Sequence, residues 1–457
     1  MYSCVPLLHS RYGAHLSKEQ VAEIVAPHTD TLELVSSWLE YNGVSSSMVS
    51  MTHGGSWLTV SGIHVSQAND LLGASYQLYR HTTGNITVLR TIRYGLPAEL
   101  HGHVQTVVPT TYFGSPGTPW QTPPVRSSRA AEAPAKEASG ELLRMLSSRD
   151  EFVTPSFLRR LYKTKGYVPT VAGQNMLGIG AFLRQYPSPD DLRIFMNEFR
   201  TDGADATYRV VRIHGGEYDP NNPGLEGNHN VQYSAAIAYP TPLIYYSTGG
   251  TGGTSQEDDP FINWLKYLLK QQSIPQTITT TFGADEHVMP PDLAGSVCFL
   301  FAQLGVRGVS VLVVSGDDGV GRGDCKDTSG NVHFLPIFPA TCTWGLLRTA
   351  RKQYTSTYPS HSPPYDALTG PWVTTVGGTT NNPEVAARLS GGGFSNYFPR
   401  PRYQDDAVAT FLENLGSQYD GLYKCVCCCD QTGPILTSFV QPFGPRLSRR
   451  LCAGAQL

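Results

Sequence analysis

Charge is scarce in this chain, and long apolar runs are missing from it. Asp, Glu, Lys and Arg make up only 16% of the 457 residues, with a formal net charge of -3. No basic field is present to attract a phosphate backbone, and no Lys/Arg run interleaves with aromatics, which argues against a nucleic-acid partner. No stretch approaches 18 consecutive apolar residues, which argues against a membrane span and for a soluble chain. The opening residues, Met1 to His9, lack the charged start and apolar centre of a secretory signal peptide. Also missing are H-E-x-x-H, G-x-S-x-G, a Walker A loop and paired C-x-x-C motifs at zinc-site spacing, which removes the commonest metal, esterase and nucleotide signatures.

Apolar material, by contrast, is ample. At 40% hydrophobic residues the chain can bury a large core, and its length is too great for one ordinary domain, so two are expected. From His9 to Phe113 the pattern runs helix, strand, helix, strand. Ser17, Lys18, Glu19 and Gln20 form a capping box ahead of Val21, Ile24 and Val25 at helical spacing, and Pro27 ends that helix. A second helix is predicted over 31–41, closed by Asn42 and Gly43; strands at 56–60 and 76–80 bracket a helix at 64–72. Residues 1–113 thus read as a small α+β unit. Residues 114–150 turn rich in Pro, Ser, Ala and charge and read as a cleavable linker.

Beyond Val153 strands and helices alternate. Ser188, Pro189, Asp190 and Asp191 open a helix running to Arg200; strands are predicted at 243–246, 276–282 and 308–314, and helices at 260–271 and 291–304. Fully apolar strands alternating with helices predict an α/β fold, a doubly wound parallel sheet with function gathered beyond its carboxyl edge.

Three features carry polar chemistry. Glu226 and Asn230 stand four apart between Gly224 and Tyr233; on a helix they share a face, which either lines a cleft or is simply solvated. Asp317 follows the apolar strand in Ser315-Gly316-Asp317-Asp318-Gly319. A carboxyl at a buried strand end is pushed up in pKa and, once protonated, can donate to a developing oxyanion; the alternative is an Asp closing a tight turn on backbone amides. Gly253-Thr254-Ser255 offers a hydroxyl after a glycine, but in a polar flexible loop that reads as a linker.

Of the nine cysteines, Cys4, Cys298, Cys325 and Cys342 are scattered, while Cys425, Cys427, Cys428, Cys429 and Cys452 crowd the end. Cys325 and Cys342 flank a polar loop and are the candidate disulfide of an oxidising compartment. The adjacent cysteines of the crowded group do not present tetrahedral ligands, and no metal site is assigned to them. Asn85-Ile86-Thr87 is the one N-glycosylation sequon.

Several blocks resemble the sedolisin family of serine-carboxyl peptidases, and within it the secreted fungal tripeptidyl-peptidases. They are the run from Arg11 to Val21, which is similar to a propeptide signature; Val153 to Tyr162, similar to the start of a mature enzyme; Ser315-Gly316-Asp317 with Gly319-Val320-Gly321; Val376-Gly377-Gly378-Thr379; and Ser390-Gly391-Gly392-Gly393-Phe394-Ser395-Asn396. Together they span about residues 10–415. The resemblance implies a subtilisin-like fold behind a propeptide, acid-pH hydrolysis of peptide bonds, peptide or unfolded-protein substrates, the chain's own propeptide as a partner, extracellular location and bound calcium. Carried over by position, Glu226 matches the general base and Asp317 the oxyanion stabiliser.

The pattern is broken in four places. Asn230 stands where the family has an aspartate supporting the base. The Gly-Thr-Ser-x-Ser segment with the nucleophilic serine, and the calcium loop after it, are not found; residues 417–457 read as an unrelated tail. Residues 344–370 interrupt two family blocks and read as an insertion, an unspliced intron in frame, within an incomplete peptidase domain at 151–416. The propeptide match at 1–113 begins partway into the family's prodomain. No peptidase activity is therefore expected of the chain as given, and a non-catalytic paralogue that binds peptides or inhibits a related peptidase is the alternative.

Overall fold

The structure is a computed structural model that describes residues 13–52, 54–80, 87–114, 153–171, 173–250, 260–320, 334–342, 372–380, 385–387, 389–415 and 435–436. Linker residues 115–150, Asn85, the 253–255 loop, Cys325, the stretch 344–370 and the clustered cysteines lie outside the described residues, as does the tail apart from 435–436.

In the N-terminal unit the three expected helices and two expected strands form, together with two strands, Val49–Met51 and Thr87–Arg90, that sequence reasoning did not place. Helix α1 (Lys18–Val25) starts on the capping box, Ser17 and Gln20 each taking the other's backbone N–H. Helix α2 (Thr29–Tyr41) begins two residues before its predicted start, because the His28 ring accepts the Asp30 N–H and acts as the cap. Strands β1 (Val49–Met51) and β2 (Leu58–Val60) pair antiparallel, α3 (Val65–Leu72) follows, and β3 (Gln77–Arg80) pairs antiparallel with β4 (Thr87–Arg90).

This unit docks on the larger one. Trp57, Val108 and Tyr112 pack against the main core, and the Lys266 ammonium lies 5.3 Å from the Trp57 ring centroid. The Leu16 N–H donates to the Val306 carbonyl at 2.9 Å, and the Tyr94 hydroxyl to Asp292 at 3.3 Å.

After α4 (Pro155–Leu161), six parallel strands make one sheet. They are β5 (Leu177–Ala181), β6 (Tyr208–Ile213), β7 (Leu243–Thr248), β8 (Thr277–Thr280), β10 (Ser310–Val314) and β12 (Thr374–Val376), in the order β12-β10-β8-β5-β7-β6. The expected α/β fold class is what is found. Three of these strands, β5, β6 and β12, escape sequence reasoning. In β5 the glycines 178 and 180 dilute the apolar run, and edge strand β6 carries Arg209 and Arg212 in its middle. Strand β10 starts only at Ser310 because the Arg307, Gly308 and Val309 N–H groups are used closing the preceding helix on Leu304 and Gly305.

Side-chain alternation on β7 shows how the two layers are built. Leu243 and Tyr245 join Leu192 and Met196 of α5 (Pro189–Phe199) and Val231 and Ala235 of α6 (Leu225–Ala238). Ile244 and Tyr246 face the other way, into a core with Phe261 and Trp264 of α7 (Pro260–Lys270) and Val297 and Phe301 of α8 (Pro291–Val306). The short β9 (Ala284–Asp285) pairs with β11 (Ile337–Phe338), and β13 (Thr379–Thr380) with β14 (Val385–Ala386). Finally, β15 (Phe394–Ser395) pairs with β16 (Ile435–Leu436), and α9 spans Asp405–Leu415. Among the described residues no helix is long and apolar enough to cross a membrane.

The disulfide differs from expectation. Cys342 bonds to Cys298, not to Cys325. Sequence reasoning paired neighbours across a loop, whereas Cys298 points from the buried face of α8 to the segment after β11, with Cα atoms 5.2 Å apart and both cysteines fully buried. The bridge closes a separation of 44 residues, so Cys298→Ala with Cys342→Ala is expected to lower stability by ~2–4 kcal/mol. Chemical denaturation of the double variant measures this, and non-reducing peptide mapping should recover the 298–342 pair.

Candidate active site

Glu226 lies in the first turn of α6, where an acidic residue complements the helix's unpaired N–H groups. Four hydrogen bonds seat that turn. The Gly224 N–H donates to the Tyr186 carbonyl at 2.9 Å, the Glu226 N–H to Gln185 Oε1 at 3.2 Å, and Asn228 accepts the Ser188 N–H at 2.8 Å while donating to Asp191 at 2.6 Å. Gly227 has no side chain because there is no room for one: a Cβ there would stand 2.6 Å from the Tyr186 carbonyl carbon. The Tyr245 hydroxyl donates to the Gln185 carbonyl, and its pKa is pushed up by burial and by the nearby Glu226 charge. Farther out, Glu217 accepts from Arg184 at 3.0 Å and from Tyr186 at 3.2 Å, tying the two flanking loops together.

Asn230 sits one turn further along the same helix, and its Nδ2 donates to Thr281 Oγ1 at 2.9 Å. Thr281 directly follows β8, so this bond reaches from α6 to the carboxyl edge of the sheet. The helical reading of 224–233 is what forms, and it brings Glu226 and Asn230 onto one helix. Thr281 and Gln185, which fix that helix, were not legible because they lie 51 and 41 residues away in sequence.

Asp317 stands just past β10 and is half-buried. Desolvation holds its carboxyl above the usual Asp range, the negative charges of Glu226 and Asp318 push it further, and His229 opposes them. The two carboxyls singled out in the sequence thus lie close enough to act on each other. Among the described residues no hydrogen bond to the Asp317 carboxylate is found, and residues 321–333, which follow its turn, lie outside the described residues. The turn bearing Asp317 is nested in two glycine loops. The Gly391 N–H reaches Gly316 O at 3.1 Å and Ser315 Oγ at 3.2 Å, and the Gly378 N–H reaches Ser390 Oγ at 2.9 Å. A Cβ on Gly391 would overlap the Ser315 carbonyl oxygen.

Chemically, a carboxylate at Glu226 can take a proton from a hydroxyl nucleophile, and a protonated Asp317 can donate to an oxyanion. The serines around this edge do not supply the nucleophile. Ser315, Ser390 and Ser395 are all buried, with their hydroxyl oxygens engaged by Gly391, Gly378 and Glu286. Among the described residues no group of three or more His, Cys, Asp or Glu could hold a metal ion.

Because the folded Asp317 value lies above the unfolded one, ionising it weakens the fold progressively as pH rises from the ordinary carboxylate range through the raised value. Asp317→Asn is expected to raise the thermal midpoint at neutral pH and to leave it unchanged at pH below that range, as read by melting curves. Glu226→Gln removes a neighbouring negative charge and should move the Asp317 titration midpoint down, by more than Asp318→Asn does; carbon-13 NMR of labelled carboxyls follows both.

Residues 7–113 match the activation domain of pro-kumamolisin. Tripeptidyl-peptidase SED2 of Arthroderma otae is 31% identical over 432 residues, covering 91% of this chain, and Tripeptidyl-peptidase SED3 of the same organism is 31% identical over 434 residues with the same coverage. The chain spans 66% of the length of these relatives. Among solved structures, Pseudomonas sedolisin, a serine-carboxyl proteinase complexed with pseudo-iodotyrostatin, matches with 19% identity over 56% of this chain and 66% of its own, at a TM-score of 0.37.

Proposed function

The chain belongs to the sedolisin family, and from that premise we propose that it derives from an acid-acting, secreted tripeptidyl-peptidase and that, as given, it binds peptides at this site without cleaving them. The observation that carries the reading is the mutual placement of Glu226 and Asp317 at the carboxyl edge of a parallel sheet, with Asp317 desolvated and pushed toward its protonated form. Glu226 has the chemistry of a general base, and a carboxylate base suits acidic conditions in which an imidazole would already be protonated. Asp317 has the chemistry of an oxyanion donor.

Asn230 favours the binding reading on its own account. An amide holds a hydrogen bond but cannot titrate, so it cannot share a proton with Glu226 as a carboxyl would. Its Nδ2 is engaged by Thr281, which fixes the amide plane without supplying any proton relay. Peptide substrates of the lineage, and the chain's own propeptide domain, remain the ligands this site would take.

The test uses a tripeptide amide carrying a fluorogenic leaving group, at acidic pH, on the full chain. No hydrolysis sensitive to serine reagents is expected, and serine-reagent-sensitive turnover would overturn the reading. Peptide binding, measured by calorimetry, should strengthen as pH falls through the raised Asp317 value, because only the protonated carboxyl donates to a peptide carbonyl. Asp317→Ala should weaken binding about tenfold, the worth of one well-placed hydrogen bond.

A further inference from the structure

Glu286 lies just after β9 and is 1% exposed, the most deeply buried carboxyl among the described residues. Nothing in the chemistry above uses it. Both its oxygens are satisfied from one short segment: the Ser395 hydroxyl donates to Oε1 at 2.5 Å and the Asn396 N–H to Oε2 at 2.6 Å. Ser395 Oγ in turn accepts the N–H groups of Tyr397 at 3.1 Å and Phe398 at 3.0 Å, and the Tyr397 hydroxyl donates to the Met289 carbonyl at 2.9 Å. A serine hydrogen-bonded to a carboxylate invites a catalytic reading, but Ser395, like Glu286, is 1% exposed and no substrate atom reaches it.

The base of this anchor is rigid. The Glu286 N–H donates to the Pro336 carbonyl at 2.8 Å, and the preceding Ala284 and Asp285 pair with Phe338 and Ile337. Four residues before Ser395, Gly391 bonds to Gly316 and Ser315, while two residues before Gly391 the Leu389 carbonyl accepts the Gly319 N–H at 2.9 Å. The turn holding Asp317 is therefore gripped at both ends by residues 389–391, and that loop is fixed downstream at 395–396 by Glu286. Four residues reach at most about 14 Å, so a shift at Ser395 is transmitted with little slack.

We propose that Glu286 is a positioning residue: it holds the 389–396 loop where its glycines seat and partly cover the turn that carries Asp317. The two bonds oppose the desolvation of the buried carboxyl without fully offsetting it, so its pKa stays above the usual range. The inference rests on the reading of Asp317 as a proton-bearing group, and its test separates the two.

Glu286→Gln keeps the side-chain length but sets an NH₂ against one of its two donors; Ser395→Ala removes the bond to Oε1 and the two that Ser395 Oγ accepts from Tyr397 and Phe398, and leaves the Glu286 carboxyl and its Asn396 bond in place. The readouts on the full chain are the thermal midpoint and the Asp317 titration midpoint by carboxyl carbon-13 NMR. The groups acting on Asp317, namely Glu226, Asp318 and His229, are unchanged in both variants, as is Tyr397, the titratable group beside Glu286. Both variants are expected to melt lower, and in both the Asp317 midpoint should fall toward the ordinary carboxylate range as water enters around the turn, further in Glu286→Gln. A raised wild-type midpoint that stays put in Ser395→Ala, despite a lowered melting point, would make Glu286 a structural anchor alone and overturn the positioning role. An ordinary midpoint in the wild-type protein would instead remove the reading of Asp317 on which the inference stands.

Discussion

A parallel sheet covered on both faces leaves polar side chains one place to gather. Strand β7 is buried along its whole length and sends alternate residues into two separate cores, so neither face of the sheet can host a solvated carboxyl. Polar groups are displaced to the carboxyl edge, where loops rather than helices close the layer. The strand order places β8 and β10 on one side of β5, with β7 and β6 on the other. The chain therefore crosses sides between β7 and β8, and the connections diverge. Glu226, entering from the helix after β6, and Thr281 and Asp317, leaving β8 and β10, converge on that opening.

Within the edge, two carboxyls show that burial alone does not decide a charge's fate. Glu286 is the more deeply buried, yet it receives two short bonds, each worth roughly 1.5–3 kcal/mol when the acceptor is ionised. Asp317 is only half-buried but has no such bond among the described residues, and Glu226 and Asp318 add like charge. Desolvation pushes both carboxyls up, while hydrogen bonding opposes the push at Glu286 alone. The two are thereby suited to different work. One is engaged by two donors, and the other is pushed toward its protonated form with like charge beside it.

What could be read from the residue string, and what could not, divides along the range of the interactions. The capping box at Ser17, the Pro189 helix start and the apolar run of β10 act within a few residues, and all three appear within a residue or two of expectation. The partners that build the site act across the fold: Gln185 on Glu226, Thr281 on Asn230, Glu286 on Ser395. No periodicity announces a glutamine that will meet a helix N-terminus 41 residues later. The disulfide fails for the same reason. Nearness in sequence favoured Cys325, while packing of α8 against β11 set Cys298 beside Cys342.

Asn230 is the place where sequence and structure together say more than either. A carboxylate at that position would place two acids one turn apart on α6, a like-charge pair that destabilises a helix by roughly 0.2–0.5 kcal/mol unless the two share a proton. The sharing is useful to an enzyme, because it lets the pair take up and release a proton at acidic pH. The amide removes the repulsion and the sharing together, and the Thr281 hydroxyl then holds it as a fixed donor. A helix with a single carboxylate and an anchored amide is better ordered and less able to move protons. Under the proposed reading, that combination suits a site that holds peptides more than one that turns them over.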